Sequence, residues 1–142
     1  MNNSETAAES FDSLDSIITA MYQAVSGPSG PLDMELERRI FAPDARLIRC
    51  GVDEHGKPWR QVMTIEDYEE DTRAFLRSTD FYEYETARQV MHCPPFAHVL
   101  SEYEAKSALD SDELLLSGVN SIQCLHDGSR WWVYQLTWNH HA

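Results

Sequence analysis

The stretch GVNSIQCLHDGSRWWVYQLTW, residues 118–138, decides how the rest of this 142-residue chain is read. Asp127-Gly128 stands between two runs rich in β-branched and aromatic residues, the strongest short-range signal for a hairpin. A two-residue turn there sets Asn120 opposite Gln135, Ile122 opposite Val133 and Cys124 opposite Trp131. The reverse face then carries Ser117 with Trp138, Val119 with Leu136, Ser121 with Tyr134 and Gln123 with Trp132. Apolar and aromatic side chains fall on both faces, whereas a sheet with one side in water alternates apolar with polar. The second face needs a cover. A homodimer joined through the sheets around Trp132, Tyr134 and Trp138, or their opposite-face counterparts, is one reading, and a monomer with scattered surface aromatics is the other.

Working back from the hairpin, strand-like segments run near Phe81–Cys93, Phe96–Ser107 and Leu114–Leu125, punctuated by Pro94-Pro95 and Asp110-Ser111-Asp112. Before them the period is helical. Thr64 starts a helix with Asp67 in a capping-box position and a buried stripe of Ile65, Tyr68, Thr72, Phe75 and Leu76. The acids Glu66, Asp67, Glu69, Glu70 and Asp71 read as its solvated face rather than as metal ligands. Asp33 caps a short helix with Leu36 and Ile40 inward and Pro43 as its stop, followed by a strand over Ala45–Cys50. The first helix spans Phe11–Ser26, with Leu14, Ile17, Ile18, Met21, Tyr22 and Val25 on one face. Helices first and hairpin-linked strands afterwards give an α+β domain over residues 11–142, preceded by a disordered polar stretch, Met1–Ser10.

Three features in this order resemble the nuclear transport factor 2-like superfamily, which includes ketosteroid isomerase-like and polyketide-cyclase-like proteins. They are the amphipathic first helix, the junction Phe41-Ala42-Pro43-Asp44-Ala45 leading into a strand, and the closing hairpin with tryptophan just after its Asp-Gly turn. The resemblance spans roughly Asp12 to His140. It implies a cone-shaped, cystatin-like fold: three N-terminal helices packed on a curved, mainly antiparallel sheet, with a pocket at the open end. Function is not implied by the fold, because members isomerise, dehydrate, cyclise or only bind.

In the isomerases a carboxylate base lies on the strand just after that junction. Here Arg49 stands at the matching place, so the base is missing there. Tyr22 approximately matches the isomerases' oxyanion tyrosine, but a tyrosine on a core stripe is more often a packing residue. Arg49 either points into the cone, where it could hold a carboxylate or enolate, or lies outside, paired with an acid. His92 and His98 flank Pro94-Pro95 and could meet as an acid/base pair, or be loop histidines beside a bend.

The remaining chemistry is bounded by what is absent. With 24 acidic against 11 basic residues the formal charge is −13, which repels nucleic acid and anionic membranes. No apolar run could span a bilayer, and the acidic start is unlike a secretory leader, so a cytoplasmic protein is expected. Cys50, Cys93 and Cys124 are widely spaced and read as reduced, buried hydrophobes. No H-E-x-x-H, phosphate loop, Rossmann glycine pattern or G-x-S-x-G occurs, so neither a metal nor a cofactor is expected. The leading expectation is a small-molecule-binding cone drawing on Tyr22, Arg49, Tyr103, Asn120 and Gln135. The alternatives are an isomerase, dehydratase or cyclase with a histidine base, and a non-catalytic dimeric accessory subunit with its cone filled by side chains.

Overall fold

Ser13 opens the first helix: its hydroxyl accepts from the Ser16 N–H at 3.1 Å, and α1 runs from Leu14 to Val25. Ile17, Ile18, Met21 and Tyr22 are buried along its inner face, as the spacing requires. Phe11 lies outside the helix at φ 49° yet is fully buried, and its carbonyl accepts from the Trp131 N–H at 2.9 Å. These coordinates are a computed structural model that describes residues 11–141. Met1–Ser10, expected to be disordered, lie outside the described residues.

Asp33 caps α2, Met34–Ile40, by accepting from the Leu36 N–H at 3.0 Å. Pro43 does not end this helix. The chain leaves it at Phe41 and passes directly into β1, Phe41–Val52, where Pro43 sits exposed within an irregularity of the ladder between Phe41 and Arg46. A residue without an N–H is tolerated where ladder bonds are already interrupted. β1 turns back through β2, Pro58–Met63, and only then does α3 follow, Ile65–Ser78, its start closed by the Thr64–Asp67 capping box. The expectation of three N-terminal helices therefore holds for two, and the third is inserted after a hairpin.

β3 (Tyr82–Cys93), β4 (Phe96–Lys106), β5 (Leu116–His126) and β6 (Trp131–His141) complete a six-stranded sheet of order β2-β1-β6-β5-β4-β3. β1 and β6 run parallel and every other neighbouring pair antiparallel. One ladder row, Val90–Val99–Ile122–Leu136–Leu47–Met63, crosses all six strands, and apart from Val90 its members are buried in the core under the helices. Each fully buried aliphatic side chain of this kind contributes ~1.5–3 kcal/mol.

The closing hairpin departs from its expected register. His126 pairs with Trp131, so the loop has four residues, closed by Asp127 N–H to the Arg130 carbonyl at 3.0 Å. The Asp127 carboxylate sets this length: its Oδ1 accepts from the backbone N–H groups of Ser129 and Arg130 and from the Ser129 hydroxyl. A bulge then places Cys124 opposite Val133 but Gln123 opposite Gln135. The extra residue reverses the faces beyond it. Leu136 becomes buried and Gln135 exposed, while Asn120 lies opposite Trp138 rather than Gln135. Of the cysteines, Cys124 is buried as expected, but Cys50 is half-buried and Cys93 exposed. Among the described residues no helix is long and apolar enough to cross a membrane.

Candidate functional site

Two residues along each strand, on the same face as the apolar row, a second ladder row carries polar side chains. Arg88, Ser101, Asn120, Trp138, Arg49 and Gln61 stand side by side across the six strands. Above Asn120, Trp138 and Arg49, between the sheet and α1, α2 and α3, lies a cavity of about 360 Å³. Aromatic side chains line much of it: Phe41, Tyr68, Phe75, Phe81, Tyr103 and Trp138. Met21, Leu116 and Leu136 add aliphatic surface. Space of this size suits a drug-sized molecule or smaller.

Hydrogen bonding fixes the amide of Asn120. Ser101 gives its one proton to Glu85 Oε2 at 2.5 Å, so the Tyr22 hydroxyl, 2.6 Å away, must donate to Ser101. Tyr22 in turn accepts from Asn120 Nδ2 at 3.0 Å. Glu85 is held by Arg88 at 2.8 Å, which also reaches Asp15 at 3.2 Å. A directed chain thus runs from the cavity to the surface, and burial pushes the Tyr22 phenol up to about 12, which keeps it a neutral donor. Tyr103 is anchored separately, donating to the Asn139 carbonyl at 2.8 Å.

Two carboxyl groups reach the same cavity. Glu37, on α2, is 1% exposed, and its Oε2 has no hydrogen-bond partner among the described residues. Loss of water, reinforced by the neighbouring charges of Glu69 and Asp33, pushes this acid up to about 8. Glu83, on β3, is only partly accessible; burial lifts it to about 7 while a hydrogen bond from Asn120 opposes the rise. Glu69 is buried too, but it is paired: Arg38 grips it at 2.7 and 3.2 Å. One member of the supposed solvated face of α3 therefore points inward.

Of the residues singled out from the sequence, Arg49, Tyr103 and Asn120 line the cavity, and Tyr22 stands behind Asn120. Arg49 does not lie outside: it faces the cavity over the Trp138 ring, 5.4 Å from its centroid, and the acid it pairs with, Asp71 at 2.6 Å, meets it there. Gln135 is exposed and away from the cavity, because the bulge turned it out. His92 and His98 do not meet. His92 pairs with Ala97 and His98 with Met91, which puts the two rings on opposite faces of the sheet. His98 bonds the Ser121 hydroxyl at 2.8 Å and His92 lies 5.8 Å from the Trp131 ring, neither in the cavity. Trp138, expected on the dimer face with Tyr134, is on the cavity side instead.

Glu37 and Glu83 were missed, although both follow the patterns that found their neighbours. Glu37 is one helical turn before buried Ile40, and Glu83 is two residues after buried Phe81. Among the described residues no group of three or more His, Cys, Asp or Glu side chains is placed to hold a metal ion.

No family model matches the chain, and no curated protein does. Solved structures do. A protein of unknown function with a cystatin-like fold from Nostoc punctiforme superposes with a TM-score of 0.68 at 11% identity, over 90% of this chain and 88% of that one. An NTF2-like protein of unknown function from Pseudomonas putida gives 0.64 at 14% identity, over 94% and 87%. Another from Shewanella baltica gives 0.60 at 12%, over 100% and 98%. At these identities the likeness is one of fold: the chain has the α+β architecture of cystatin-like, NTF2-like proteins.

Proposed function

We propose that the protein binds a small organic molecule in the cavity between its helices and its sheet. The observation that carries this is the Glu37 carboxyl, 1% exposed, set in the wall of the cavity and, among the described residues, without a hydrogen-bond partner at Oε2. An unsatisfied buried polar atom costs ~1–3 kcal/mol, more when charged, and a ligand group that completes its bonding recovers that. Aromatic walls supply the burial, and Asn120, held by Tyr22, offers a fixed amide for orientation. An accessory subunit with a filled interior fits less well, because the cavity is open. Native mass spectrometry of protein purified from its own host is expected to show a retained organic mass that Asn120→Ala and Glu37→Gln weaken. Unchanged retention in both variants would move the site elsewhere.

A second reading, proton transfer within the bound molecule, is favoured by Glu83. A carboxyl lifted to about 7 inside an apolar cavity is poised as a general base, the role the histidines cannot fill from where they lie. Turnover would then show a limb near pH 7 that Glu83→Gln abolishes.

The outer sheet face is the surface for self-association in this proposal. Val62, Phe96, Leu100 and Tyr134 are exposed, and Leu100 and Val62 share one ladder row with Ser121, Thr137 and Ile48. Sedimentation at micromolar concentration is expected to give a dimer, and a monomer there would end the sheet-to-sheet argument.

A further inference from the structure

The charges around the cavity are one-sided. Glu37 and Glu83 reach it as acids, and among the described residues Arg49 is the one lysine or arginine that lines it. That guanidinium is already neutralised by Asp71 at 2.6 Å and shared with Gln61 at 3.3 Å. Among the described residues the groups whose charges act on Glu37 are acidic or neutral: Asp33 at the start of its own helix, and Glu69 and Tyr68 from α3. Arg38, the nearby cation, is engaged by the Glu69 carboxylate at 2.7 Å and lies 3.7 Å from Glu66. A ligand bearing an anion would find no uncommitted cation among the described residues of the wall, and above the titrations of Glu37 and Glu83 it would meet their carboxylates as well.

We propose that the cavity selects an organic ammonium: an amine with an aromatic or bulky apolar body whose N–H groups complete the bonding of Glu37. This rests on the small-molecule-binding reading above and names its ligand class. Two independent features converge on it. Glu37 Oε2 has no hydrogen-bond partner among the described residues and is an acceptor once the acid has given up its proton. The cavity wall is aromatic, with Tyr68 edge to face on Trp138 at 5.9 Å, Phe75 on Phe81 at 5.3 Å and the Trp138 ring already beneath one cation, Arg49, so that these rings suit a cationic apolar body. On binding, the ammonium keeps its protons; the Glu37 carboxylic acid releases one proton to solvent and its carboxylate pairs with the cation. Binding in the window below Glu37's own titration therefore liberates a proton, and affinity rises with pH until that acid is ionised.

The test uses three molecules of one shape: 1-naphthylmethylammonium, 1-naphthylmethanol and 1-naphthoate. Isothermal titration calorimetry near neutral pH, repeated in two buffers of different ionisation enthalpy, reads affinity and proton release together. The ammonium is expected to bind at least about tenfold more tightly than the alcohol, with protons released. Naphthoate is expected to bind most weakly. Glu37→Gln should remove the ammonium's advantage and leave the alcohol within about twofold. If that variant does not fold by circular dichroism, Glu83→Gln carries the test, with a several-fold loss expected for the ammonium alone. An alcohol or carboxylate that binds as tightly as the ammonium overturns the ligand class while the binding cavity stands. Failure of all three to bind the folded protein at millimolar concentration overturns both.

Discussion

At Gly118 a side chain has no room. A β-carbon there would overlap the Asn139 carbonyl oxygen and come within 2.8 Å of the Tyr103 hydroxyl. Those two groups are the partners in the hydrogen bond that anchors Tyr103 beneath the cavity. Gly118→Ala must therefore push strands apart or break that bond, and it is expected to destabilise the fold by about 1–3 kcal/mol. A urea midpoint unchanged from wild type would show that β5 and β6 relax freely at this point. The site residues divide by how they could be read. Tyr103 and Asn120 were legible because their residue types are uncommon on an otherwise apolar strand face. Glu37 and Glu83 were not, since a carboxylate in an acid-rich chain reads first as solvated, and only the packing of α2 and β3 shows otherwise.

Between elements, the contact that locks α2 to α3 is the bidentate grip of Arg38 on Glu69. The Glu69 side chain is 3% accessible, so removing the arginine strands a carboxylate away from water, next to Glu37. Arg38→Ala is expected to lower the melting temperature by several degrees, and adding Glu69→Gln should recover most of the loss. Additive losses in the double variant would mean that the pair does not couple the helices. The helices and the order of hairpins were legible from period and punctuation, which are local. Their exact joining was not. The closing loop owes its length to three donors gathered by Asp127 Oδ1, and the bulge after it inserts one residue into β6. Neither leaves a mark in an alternating pattern, yet together they decide that Trp138 rather than Gln135 faces the cavity.

Across the whole molecule, the same buried acids couple stability to pH. Glu37 titrates at about 8 in the folded protein against an ordinary 4.5, and Glu83 at about 7. Between these values the native chain holds protons that the unfolded chain has released, so stability falls as pH rises from about 4.5 to about 8. Each pH unit across which one such acid is protonated only when folded is worth about 1.4 kcal/mol at most. General repulsion within a chain of formal charge −13 also grows as its carboxylates ionise, and that contribution has the same sign. Comparing wild type with Glu37→Gln separates the two, because the amide leaves the other charges in place and removes only one titration. The variant is expected to gain stability relative to wild type steadily from about pH 5 to about pH 8, then to hold a constant advantage, measured by urea unfolding at fixed ionic strength. Parallel curves over that range would mean that Glu37 ionises as freely folded as unfolded. Its carboxyl would then be solvated, and the cavity would lose the unpartnered group on which its ligand reading depends.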